Sequence, residues 1–136
     1  MLAQLDRQYR ARGLEIVSLM FEQHTDFKRA VAAVQRFRAA YGIGYPTLLA
    51  GTADKMKAAA VLPQLDAVLA YPTAIFIDRA GRVRKIHTGF AGPATGVQHD
   101  LLVQEFELQI EALLRAGATP AAELALEPPA SAAATP

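Results

Sequence analysis

Apolar side chains recur along this chain with two different spacings, and the alternation between them outlines the elements. Leu2, Leu5 and Tyr9 repeat at i, i+3 and i+7, which predicts an opening helix. Arg12-Gly13 supplies a basic last turn and a glycine stop. No capping residue precedes that helix, so Met1 reads as a point inside an existing helix rather than the natural start of a domain. Leu14 to Phe21 is apolar at nearly every position instead of every second one, the pattern of a strand covered on both faces. A strand so soon after a helix suggests a βαβ setting. His24, Thr25 and Asp26 then form a polar turn with two candidate N-caps. Phe27, Val31, Val34, Phe37 and Tyr41 fall on one helical face before Gly42 ends the run.

The second half is more broken. Thr47 to Leu49 predicts a short strand between Gly and Pro, and from Ala53 the composition favours helix. Pro63 interrupts it and can open a second short helix through Leu69, since its missing N–H is harmless in a first turn. After Tyr71-Pro72, the runs TAIFID and RVRKIHTG flank the turn residues Asp78 to Gly81 and predict an antiparallel hairpin. Gly89 to Gly96 reads as a loop, and Leu102, Phe106, Ile110 and Leu113 give an amphipathic helix ending at Gly117. Residues 118–136 are Ala/Pro-biased and are expected to be a disordered tail. The expectation is one α/β domain over residues 1–117, with a mixed sheet flanked by helices.

Composition narrows the chemistry mostly by exclusion. Fourteen basic and 13 acidic side chains leave a formal net charge of +1, which singles out no partner. Lys28, Arg29, Arg36 and Arg38 read as the solvated face of a helix rather than a nucleic-acid footprint. No apolar run approaches the roughly 20 residues that span a bilayer. There are no cysteines, so this chain offers no disulfide, thiolate metal site or thiol nucleophile. The three histidines, His24, His87 and His99, have no metal-binding spacing and read as turn or surface residues. GFAGPATG lacks the Gly-Lys-Ser/Thr ending of a phosphate cradle. Ser18 and Ser131, the only serines, sit in an apolar strand and in the tail, which argues against a serine hydrolase. Glu105 and Glu107 read as solvated charge, not an acid/base pair.

Two stretches taken together resemble one family. LEIVSLMFE from Leu14 and YPTAIFIDRAGRVRKIHTGF from Tyr71 resemble the second strand and the cis-proline hairpin of the TlpA/ResA redoxins, which are thioredoxin-fold thiol:disulfide oxidoreductases. The helix in GPATGVQHDLLVQEFELQIEALL is similar to their closing helix, and the segment between Gly42 and Leu69 to their insert. The resemblance implies a thioredoxin-like fold lacking its first core strand, because the Cys-x-x-Cys that opens the family's first helix has no counterpart here and Met1 falls shortly after it. It implies that Pro72 is the cis-proline facing the dithiol, that Tyr71 offers backbone groups to an extended substrate, and that Thr73 begins the strand behind them. Glu22 corresponds in position to an acidic residue that tunes proton movement in some of these redoxins.

Such a domain would be a protein-disulfide reductase by family, not competent as this chain stands, and would carry no catalytic residue, metal or cofactor of its own. Its implied partners are a disulfide-containing or extended protein substrate and a membrane thiol electron donor, with no nucleic acid, in an extracytoplasmic protein that is monomeric when complete. A cysteine-free peptide-binding module and a fragment of a peroxidase-type redoxin are the alternatives. The family's first strand lies between those that correspond to Leu14–Phe21 and Thr73–Ile77. Without it, those two would stand about 10 Å apart, twice the pairing distance of about 4.8 Å, unless they close on each other or the chain aggregates.

Overall fold

The computed structural model describes residues 1–23, 25–62 and 70–117. The short helix expected over 63–69, the tail at 118–136 and His24 lie outside these residues. The chain is mixed α/β. Helix α1 (Leu2–Tyr9) continues into a 3-10 turn, Arg10–Arg12. Gly13 ends it at φ +104°, a left-handed conformation that costs glycine nothing. Then follow β1 (Ser18–Glu22), α2 (Phe27–Tyr41), β2 (Thr47–Thr52), α3 (Lys55–Val61), β3 (Thr73–Ile77), β4 (Val83–Thr88) and α4 (Val97–Ala116). A 3-10 turn, Pro93–Thr95, interrupts the expected loop before α4.

Local chemistry explains most of the boundaries. Asp26 caps α2 by accepting the Arg29 N–H at 2.9 Å, and Asp54 caps α3 by accepting those of Met56 and Lys57. The strand expected from Leu14 begins only at Ser18, whose N–H donates to Pro46 O at 3.0 Å. Leu14, Ile16 and Val17 are apolar but lie outside the strand. Leu14 instead donates its N–H to Tyr9 O and packs beside the core.

The expected single mixed sheet is instead two separate two-stranded sheets. β1 pairs with β2 in parallel, Ser18 opposite Thr47 and Leu19 opposite Leu48. β3 pairs with β4 antiparallel, Thr73 opposite Thr88 and Phe76 opposite Lys85. Pairing stops at β1 and β3, which have no strand between them among the described residues. The main core lies on one face of the β3–β4 hairpin, where Leu5 and Tyr9 of α1 meet Leu102, Phe106 and Ile110 of α4 over Ala74 and Phe76. Phe106 stands edge-on to Phe76, ring centroids 5.0 Å apart. On the opposite face, Ile75 packs against Ala58 of α3, as does Phe21 of β1, so α3 bridges the two half-sheets.

One expected face is covered only in part. In α2 Ala30 and Val34 are buried, but Phe27, Phe37 and Tyr41 are exposed, and the Phe37 and Tyr41 rings lie tilted against each other with centroids 4.7 Å apart. α2 lies against β2, and a sheet two strands wide is too narrow to cover the whole stripe.

Ion pairs fasten α4 from both sides. Arg12 donates two hydrogen bonds to Glu111, at 2.6 and 2.8 Å, and Lys85 pairs with Glu105. The Arg12 guanidinium holds the Glu111 carboxyl below the usual range, and the Lys85 ammonium does the same for Glu105. In the hairpin turn Asp78 accepts the Arg82 backbone N–H and the side chains of Arg84 and Arg82, which keeps its carboxyl well below the usual range. A depressed folded-state pKa contributes stability above the unfolded value, about 4, and that contribution disappears as pH falls through the folded value. Urea midpoints are therefore expected to be flat above about pH 5 and to fall toward pH 2, with Glu111→Gln flattening part of that slope. Phe106→Ala should cost about 3–5 kcal/mol, and the milder Ile110→Val about 0.5–1.5 kcal/mol, in urea denaturation.

Candidate functional site

The place where β1 and β3 approach each other is built from exposed or half-buried groups. Backbone direction alternates along a strand, so the hydrogen bonds at its ends fix which groups face outward. Ser18 N–H donates to Pro46 O and Ala53 N–H donates to Glu22 O, so the even-numbered residues of β1 face β2. Leu19 and Phe21 therefore direct N–H and C=O to the open side. In the hairpin, Gly89 N–H donates to Pro72 O and Asp78 N–H donates to Arg82 O, so Ala74 and Phe76 face β4. Thr73, Ile75 and Ile77 face away from it. Both open edges belong to strands of apolar composition, SLMFE and TAIFI, the kind that ordinarily lies inside a sheet.

The residues expected at a substrate groove converge on that edge. The peptide bond between Tyr71 and Pro72 is cis. Both residues are exposed, and the Tyr71 ring lies 5.8 Å from that of Phe21. Thr73 opens β3, and its Oγ1 donates to Ala70 O at 2.8 Å, which closes the corner. Pro72 O is already taken by Gly89, whereas the N–H and C=O of Tyr71 have no hydrogen-bond partner among the described residues. A peptide arriving here would find one donor and one acceptor. Glu22 ends β1 one residue beyond Phe21, and its carboxylate has no hydrogen bond or ion pair among the described residues. The fold thus brings Glu22 and Tyr71–Thr73 to the same end of the open region, through the Phe21–Tyr71 contact.

Other polar groups are placed differently from the sequence reading. His87, expected at the surface, faces α4, edge-on to Phe106 at 5.3 Å and 3.7 Å from Glu105. Its pairing with Ala74 across the hairpin puts it on the same face as Lys85 and Phe76, which only the register reveals. The Glu105 carboxylate, read as solvated, takes Lys85. His99 Nδ1–H donates to Ala91 O at 2.7 Å, which fixes that tautomer and makes His99 a loop anchor. Among the described residues no group of three His, Asp or Glu side chains could hold a metal ion.

Exposed apolar side chains lie on all four strands. Leu19, Leu48, Ile77, Val83 and Ile86 are all more than a third exposed. Surface patches of this kind mark places where another chain segment packs. Comparison with known proteins finds no family model that matches the chain and no similar curated protein. Among the described residues no helix is long and apolar enough to cross a membrane.

Amide hydrogen exchange should separate the two sides of each strand. The N–H groups of Leu19, Phe21 and Ile75 are expected to exchange at least about tenfold faster than those of Met20 and Phe76, which face a partner strand. Equal protection on both sides would mean that the open edges are occupied.

Proposed function

We propose that this chain is the larger part of a thioredoxin-like redoxin domain similar to the TlpA/ResA group, and that its work is thiol:disulfide exchange on an extended protein substrate. The observation that carries this reading is the pair of unpaired, apolar strand edges on β1 and β3, bridged by α3 and bordered by the exposed Tyr71–Pro72 corner. A single further strand fits such a position, since it would satisfy both edges at once. In a thioredoxin-like arrangement that strand leads into a helix whose N-terminus carries Cys-x-x-Cys, beside the corner at Pro72.

The chemistry belongs to that added segment. A thiolate, favoured at the helix N-terminus, attacks one sulfur of the substrate disulfide and releases the other as a thiol. The second cysteine then attacks the mixed disulfide, so two enzyme thiols are oxidised to one disulfide while the substrate disulfide becomes two thiols. An external dithiol restores the enzyme. This chain contributes the wall of the groove: Tyr71 presents backbone N–H and C=O to an extended substrate, and Thr73 holds the corner. Glu22, at the rim, is suited to take or return a proton during exchange. An extracytoplasmic setting and a membrane thiol donor are part of the same proposal.

Without cysteines the chain alone performs none of this. The free groups of Tyr71 favour a second reading, a module that holds extended peptides and does no chemistry. The two separate in one experiment. Joining a strand–Cys-x-x-Cys–helix segment ahead of Met1 should give thiol-dependent reduction of a protein disulfide, abolished by Cys→Ser, with none from the chain alone. Failure of the joined protein to fold or to reduce, together with saturable peptide binding by the chain alone, favours the binding module. Reduction of hydrogen peroxide that survives loss of one of the two cysteines favours a peroxidase-type redoxin.

A further inference from the structure

The hairpin turn carries more positive charge than it neutralises. Arg79, Arg82 and Arg84 lie within six residues of each other and line one cavity of about 460 Å³ between the turn and the last turns of α4. A single carboxylate, Asp78, serves two of them. Asp78 Oδ2 accepts from Arg82 Nε at 3.0 Å and from Arg84 Nε at 2.7 Å, while Oδ1 accepts the backbone N–H groups of Ala80 and Arg82. Two guanidinium groups therefore share one oxygen, which leaves one positive charge in excess. Arg79 adds another, since it makes no hydrogen bond or ion pair among the described residues. It lies instead across Gly117, its Nε only 2.5 Å from where a Cβ at that position would stand. On α4, Glu111 is engaged by Arg12 and Arg115, and Glu105 by Lys85.

The arrangement is fixed rather than diffuse. Asp78 is largely buried, at 11% side-chain exposure, and anchors Arg82 through Nε and Arg84 through Nε and Nη2. Arg82 therefore keeps its two terminal nitrogens for another partner, and the Arg82 and Arg84 side chains are 68% and 47% exposed. Gln109 adds an uncharged amide to the wall. Planar guanidinium forks held in place in this way match the oxygen geometry of phosphate better than flexible lysines do. The last carbonyls of α4 carry partial negative charge, which works against an anion, but the Arg79 guanidinium lies against Gly117 at that helix end and offsets it.

We propose that this cavity binds a phosphate group, held by Arg82 and Arg84 from the Asp78 hub and by Arg79 from the end of α4. The group could be free inorganic phosphate or a phosphate monoester, and the site stands at the opposite end of the β3–β4 hairpin from the Tyr71–Pro72 corner, so it does not depend on redoxin activity. The test is a titration of the full chain at low ionic strength with sodium phosphate and with phenyl phosphate, followed by amide shifts. Saturable shifts centred on residues 78–84 and 109–117, weakened by added sodium chloride, are expected, and the tighter of the two probes identifies the source. Arg82→Ala, which removes a mostly exposed side chain, and Arg84→Ala should each weaken binding by about threefold to tenfold, while Arg82→Lys should recover part of the loss. Absence of saturation up to about 10 mM of either probe, or unchanged affinity in both alanine variants, would overturn the proposal.

Discussion

The N–H and C=O groups of a strand need partners on both edges when its side chains belong to an interior, and among the described residues β1 and β3 have partners on one edge only. Everything else in the fold is arranged around that shortfall. The β3–β4 hairpin has a full core on one face, supplied by α1 and α4. The β1–β2 pair has α2 against it, and α3 spans from Phe21 to Ile75 with the small side chain of Ala58 at the centre. Neither half-sheet is wide enough to bury its own apolar face, which is why Leu19, Leu48, Ile77 and Ile86 stay exposed while Leu5, Phe106 and Ile110 do not. A strand placed between β1 and β3 would join the halves into one mixed sheet and satisfy both edges.

The polar fastenings support the two halves unequally. α4 is held by Arg12 through Glu111 and by Lys85 through Glu105, and α1 is braced internally by Arg10 on the buried carboxylate of Asp6, with Nε to Oδ1 at 3.2 Å. Such pairs add little where they are exposed, so the hairpin side owes its order mainly to the aromatic contact of Phe76 with Phe106 and the aliphatic residues beside it. The β1–β2 side has fewer buried large side chains, Val34 among them. An added strand would therefore strengthen that side more than the hairpin.

Much of this was legible in the sequence where the signal is local. The spacing of Leu102, Phe106 and Ile110 marks the buried face of α4, Asp26 caps α2, and the turn at Asp78 to Gly81 joins two strands as its residue types require. What failed depended on partners far along the chain. The apolar run from Leu14 does not show where pairing begins, because that is set by Pro46. The stripe from Phe27 to Tyr41 gives a helical face but not the width of the surface beneath it. Arg12 and Glu111 are 99 residues apart, and His87 reaches α4 only through the register of the hairpin. At the candidate site, sequence indicated Tyr71, Pro72 and Thr73, whereas the contact of Tyr71 with Phe21, which draws Glu22 toward them, required the fold. Around Asp78 the sequence indicated only turn residues, and the carboxylate oxygen shared by Arg82 and Arg84 required the fold.

The central claim is that β1 and β3 flank an unfilled strand position, and cross-strand nuclear Overhauser contacts measure it directly. In the free chain the account predicts contacts between the Phe21 and Tyr71 rings and between Ala58 and both Phe21 and Ile75, with no backbone-to-backbone contact from Leu19–Phe21 to Thr73–Ile75, since the two strands are not paired and a strand position between them implies a separation of about 10 Å. Strong Hα or amide contacts between those backbones, as from strands about 4.8 Å apart, would contradict it.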